Sequence, residues 1–147
     1  MSNASSTLNG LIQTLKDGQE GFRAAAEDVE FSNLKTIFGE LALQRSKFAG
    51  ELQTLARSLS GEEPEKCGSV AGALHRGWIE LKAAVVSRNE HAILAECERG
   101  EDSAVAQYRE AIESGTLPAH VLETVKQQAA AIKVSHDKVR GLRDAIA

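Results

Sequence analysis

Residues 32–60 read SNLKTIFGELALQRSKFAGELQTLARSLS, and this stretch decides the fold. Leu34, Ile37, Phe38, Leu41, Phe48, Leu52, Leu55 and Leu59 recur at intervals of three and four, which lays them along one face of an α-helix. Ser32 suits the N-cap, because its hydroxyl can accept from backbone N–H groups that a helix start leaves without partners. The pattern stops at Ser60-Gly61, with Pro64 just beyond. At about 1.5 Å per residue such a helix is roughly 43 Å long, and one apolar stripe of that length needs companions to cover it.

The companions lie on both sides. Upstream, Leu8, Leu11, Ile12, Leu15, Phe22, Ala26 and Val29 predict a helix over residues 6–29, with Ser6 or Thr7 as its cap. Only a couple of residues separate it from Ser32, so the two form an antiparallel hairpin. Downstream, Val70, Leu74, Trp78, Leu81 and Val85 predict a shorter helix over 69–86. Asn89 then caps a long one over 89–114, carrying Ile93, Leu94, Cys97, Ala104, Val105, Tyr108 and Ile112. Pro118 opens the last, 118–146, since a first turn tolerates proline; its stripe is Val121, Leu122, Val125, Ala129, Ile132, Val139 and Leu142. The reading is one all-α domain, an antiparallel four-helix bundle. The helical crossover between its second and third long helices is long enough to travel the length of the bundle and make those two parallel.

Composition agrees and narrows the function. Of the 147 residues 42% are hydrophobic but only 4% aromatic, so alanine and leucine supply most of the apolar volume, as helices favour. A net charge of −4 argues against nucleic acid as a partner, because a row of phosphates would go unneutralised. No apolar run is long enough for a bilayer, so no membrane partner is expected. Met1 to Gly10 is polar, without the basic and apolar regions of a secretory signal, and two cysteines make no disulfide framework. The expected location is cytoplasmic.

Glycines at 18, 21, 39, 50, 100 and 141 fall inside predicted helices, each costing about 1 kcal/mol relative to alanine. Close helix approach or local bends would explain them; alternatively Gly18 and Gly21 make room for a ligand or for Trp78.

Each long helix also places one polar residue on its apolar stripe. Gln19 lies among Ile12, Leu15 and Phe22; Arg45 among Phe38, Leu41, Phe48 and Leu52; Glu101 among Leu94, Cys97, Val105 and Tyr108; His136 between Ile132 and Val139. An isolated buried charge is costly, so Arg45 and Glu101 are expected to pair, with Gln19 and His136 meeting the remaining donors and acceptors. Counted from the hairpin turns, Gln19 and Arg45 come within about one helical turn of each other in height. Glu101 and His136 differ by about five residues, roughly 7–8 Å, which would put Gln128 closer to Glu101. Three readings fit this set: an ion pair that holds the helices in register, a binding site, or a shifted helical phase with Arg45 snorkelling to water.

A dinuclear metal centre in such a bundle uses a glutamate from each of two helices and a Glu-x-x-His pair from each of the others. Here Gly72, Arg88, Leu117 and Lys133 stand three residues before the four histidines, and Arg45 would repel a cation. The pattern therefore predicts no metal and no cofactor. Glu96, Glu98 and Asp102 splay around their helix as a solvated face, Cys97 reads as a small core residue, and Cys67 as a loop thiol. No phosphate-binding glycine loop, nucleophile elbow or zinc pattern occurs, so the chain points away from an enzyme.

Three stretches, Lys16 to Phe22 (KDGQEGF), Gly68 to Trp78 (GSVAGALHRGW) and Leu94 to Asp102 (LAECERGED), resemble a bacterial family of ferritin-like bundles, the domain of unknown function 2383. The resemblance spans nearly the whole chain. It implies a ferritin-like bundle with the long crossover and carries no established activity. Gln19 and Arg45 stand where metal-binding ferritins would have ligands, which implies a degenerate site. The leading expectation is a non-enzymatic module acting through a protein partner or as a homodimer. An atypical metal or redox site around Glu101 and His136, or a carrier of a small anion countered by Arg45, are the alternatives.

Overall fold

The structure, a computed structural model, describes residues 3–60 and 90–146. Over these residues the chain forms four helices: α1 (Asn3–Asp28), α2 (Ser32–Ser60), α3 (Glu90–Glu113) and α4 (Ala119–Ile146). They assemble as an all-α four-helix bundle. The helix expected over 69–86, with Trp78, and Cys67 before it lie outside the described residues.

Two short turns make two hairpins. Between α1 and α2, the Lys35 ammonium donates to the carbonyls of Ala26 and Glu27, at 3.2 and 3.1 Å, satisfying acceptors that a helix end leaves open. Between α3 and α4, Gly115 takes φ +70°, a conformation that glycine adopts without a Cβ clash, and Ser114 Oγ donates to the Ala111 carbonyl. The start of α1 differs from expectation. It begins at Asn3 rather than at a Ser6 or Thr7 cap, because Thr7 Oγ1 bonds backward to the Asn3 carbonyl at 2.9 Å and lies 3.0 Å from Thr116 Oγ1.

That last contact places the α3–α4 turn beside the start of α1. At the other end, Glu90 at the head of α3 accepts from the Glu30 backbone N–H in the α1–α2 turn, at 3.0 Å. It follows that α2 and α3 run in the same direction, as the long-crossover reading requires. α1 packs most extensively on α2 and α3 on α4; α1 also lies against α3, while α2 and α4 touch least.

The apolar core falls into two clusters. One contains Leu8, Leu11, Ile12, Leu15, Leu52, Tyr108, Val121, Val125 and Ile132; the other contains Phe22, Leu34, Phe38, Ile93, Leu94, Cys97 and Val139. Cys97 is fully buried there, and burial first, then the nearby Glu101 and Glu96 carboxylates, push its thiol pKa well up, so it behaves as a core residue. Among the described residues, no helix is long and apolar enough to cross a membrane. Between the two clusters lies a layer of charge.

Candidate functional site

The layer is built around Arg45, 1% exposed, and Glu101, 0% exposed. Arg45 Nη1 lies 2.6 Å from Glu101 Oε1, and Nη2 donates to Glu101 Oε2 at 2.9 Å. Both nitrogens therefore lie against the carboxylate, one as a hydrogen bond and one as a close ionic contact. Nη2 also donates to Ser135 Oγ at 2.8 Å, and Nε donates to Gln44 Oε1 at 3.1 Å. Ser135 Oγ in turn lies 2.5 Å from Glu101 Oε2 and 2.8 Å from the Ile132 carbonyl; its single proton goes to the closer, charged acceptor. The flat face of the guanidinium lies over the Phe22 ring, 5.2 Å from its centroid.

The sequence reading brings together four residues, and the structure brings together two of them. Arg45 meets Glu101. Gln19 is half-buried and lines the groove between α1 and α2, beside Arg23 and Leu43, with its Oε1 unpartnered. Position 18, three residues after Leu15 and four before Phe22, is the one that faces the layer. Arg45 packs beside it: a Cβ there would lie 3.4 Å from Nη1, in ordinary van der Waals contact. Spacing alone does not separate positions 18 and 19, since both are one turn from the stripe. What lies beside Gly18 is an arginine of the same chain rather than a ligand.

His136 is also displaced from the expected cluster. Ser135 takes its place, and it sits between Ile132 and Val139 at the same helical spacing, so the signal was present in an inconspicuous hydroxyl. His136 turns to the outer margin of the α3–α4 seam. There its Nε2 lies 2.5 Å from Asp102 Oδ1 and its Nδ1 lies 3.0 Å from Asp137 Oδ1. The counted offset fails because helical side chains lean toward their own N-terminus. Glu101 leans away from the α3–α4 turn and Ser135 toward it, so residues at unequal distances from the turn meet. For the same reason Gln128 does not approach Glu101 and instead accepts from Tyr108 Oη at 2.7 Å. The Gln128 amide donates to Glu51 Oε1 at 2.8 Å and to the Phe48 carbonyl at 3.3 Å. Tyr108→Phe removes that donor from a buried acceptor, and a loss of about 1–3 kcal/mol is expected in urea denaturation.

Glu98 and Asp102 on α3 and His136 on α4 each bring one ligand atom within 4.8 Å of the others. Glu98 is not solvated, contrary to the sequence reading: it is buried, in an ion pair with Arg143 and with Arg140 Nε 3.9 Å away. Burial acts to lower the pKa of His136, but hydrogen bonds to Asp137 and Asp102 outweigh it and raise it above the ordinary 6.5. Lys133 first, and then His136, hold Asp137 below its ordinary range. A raised histidine pKa stabilises the fold fully below the unfolded-state value, and that contribution fades as pH rises through the folded one. Stability to urea should therefore decline upward from about pH 6.5, with the slope removed in His136→Asn.

The residues do not fit a dinuclear metal centre. Glu101 has both oxygens against a guanidinium and a hydroxyl, and the facing position on α2 carries a positive charge.

No curated protein matches the chain. The model of one family, described as a domain of unknown function (DUF2383), matches residues 3–114, the greater part of the chain and all of α1, α2 and α3. With Gly18, Arg45 and Glu101 all inside the matched region, the chain belongs to this family of unknown function.

Proposed function

We propose that this chain is a non-enzymatic helical module that works through protein contacts, and that its central polar layer holds the four helices in register. One observation carries the reading: the buried Arg45 guanidinium is satisfied by Glu101, Ser135, Gln44 and the Phe22 ring, all from its own chain. The groups that would bind or activate a substrate hold one another. A small-anion carrier needs that positive charge uncommitted, so this reading is set aside. The shared direction of α2 and α3 supports placing the bundle with ferritin-like proteins, as a member whose metal positions have been replaced by an ion pair. Buried polar groups specify register in some helical assemblies at a cost in stability, and that is the role assigned here.

The test is chemical cross-linking in the native host followed by mass spectrometry, together with the molar mass of the purified full chain over a dilution series. The module reading expects cross-links between chains, to a second copy or to a partner. A chain that is monomeric throughout and cross-links to nothing overturns it.

A second reading, divalent-cation binding at the α3–α4 margin, is favoured by the convergence of Glu98, Asp102 and His136. Asp137 on Nδ1 would orient the imidazole with Nε2 toward the site, the arrangement metal-bound histidines use. A cation there has to displace Arg143 from Glu98, which places this reading second. Calorimetric titration with Zn²⁺ and Mn²⁺ decides it: saturable binding lost in His136→Ala supports a site, and no saturable heat ends the idea.

A further inference from the structure

We infer that the outward face of α2 is where a second copy of this chain docks, the two α2 helices crossing antiparallel about a two-fold axis level with Leu43 and Gln44. This rests on the protein-contact reading above and names its partner. Among the described residues Leu43, at 72%, is more exposed than Val134 or Phe31, the other large hydrophobic side chains that face outward. It stands in the middle of the α2 face that points away from the bundle, one or two turns from Gly39, Ser46 and Gly50. Toward α1, the same face opens into a groove lined by Ala26, Gly39, Ala42, Leu43 and Ser46.

The charges on this face select both the occupant and its direction. Glu40 and Lys47 are exposed on the other flank of Leu43, and neither takes part in an ion pair among the described residues. They are two turns apart, about 10.5 Å along the axis, too far to meet each other on one helix. A two-fold axis that reverses the helix direction brings Glu40 to the level of the partner's Lys47, and Lys47 to the level of the partner's Glu40, on the same flank. The same axis sets Leu43 beside the partner's Leu43 and Gly39 between the levels of the partner's Ser46 and Gly50. A parallel two-fold pairing would put the charges of the two copies on opposite flanks and leave them without partners across the seam. The face is thus complementary to itself in one orientation, as a two-fold interface requires. The glycines fit the same geometry. A Cβ at Gly39 or Gly50 meets nothing within 4 Å, so packing inside this chain does not require them, whereas a helix approaching closely from outside would.

Light scattering or sedimentation of the full chain over a dilution series of roughly a hundredfold tests the inference. The wild type is expected to pass from dimer to monomer on dilution, and Leu43→Glu to shift that transition to at least about tenfold higher concentration, with unchanged helical circular dichroism. Glu40→Lys should weaken the dimer, and Glu40→Lys with Lys47→Glu should restore it, a rescue that general unfolding would not produce. A monomer at every concentration overturns the inference, while host cross-links to another protein would leave the module reading standing. A dimer indifferent to all three variants also overturns it, and again leaves that reading intact.

Discussion

Replacing Glu101 with leucine should destabilise the protein by about 3–5 kcal/mol, because it strands the Arg45 guanidinium in the dry centre of the bundle. Ser135 and Gln44 would still accept from it, but neither carries a compensating charge. The double replacement Glu101→Leu with Arg45→Leu should cost much less, since no charge is then left buried and leucine suits both helices. Urea denaturation of the four proteins in the cycle measures the coupling. Equal, additive losses would mean that the two residues do not stabilise each other, and the register role would fall with the pair.

The second large effect is expected at Phe22. Its ring is fully buried, stacked on Phe38 with centroids 5.9 Å apart, and roofed by the Arg45 guanidinium. Phe22→Ala opens a cavity where the apolar cluster meets the charged layer, and a loss of about 3–5 kcal/mol follows. Phe22→Leu keeps most of the volume but removes the π face, for about 1–2 kcal/mol. Because part of that loss belongs to the guanidinium contact, Phe22→Leu should cost less in the Arg45→Leu, Glu101→Leu background than in the wild type. An identical cost in both backgrounds would show that the ring acts only as apolar filling.

The contrast between these residues and the misplaced ones shows what periodicity can read. Arg45 and Glu101 were legible because each sits deep inside a stripe, where a rotation of one residue does not move it to the surface. Gln19 and His136 sit on stripe edges, where one residue of phase decides whether a side chain faces the centre or the margin. There the neighbouring positions, Gly18 and Ser135, face the centre instead. Gly18 stands out as a glycine inside a helix, but nothing local names Arg45 as its neighbour, and Ser135 reads as surface. The Asp102–His136 contact was beyond reach for another reason: it joins residues 34 apart on different helices, and its existence depends on how α3 slides against α4.

By itself the sequence determined the all-helical class and the turns that end the helices. It also marked the arginine and the carboxylate that must find each other inside, because local spacing and the cost of burying a lone charge are properties of the chain alone. Only the tertiary structure decided which groups complete that pair, that Gly18 lies against it, and that His136 turns to the margin. Those outcomes depend on the tilt of side chains and the relative slide of packed helices, which no single helix specifies.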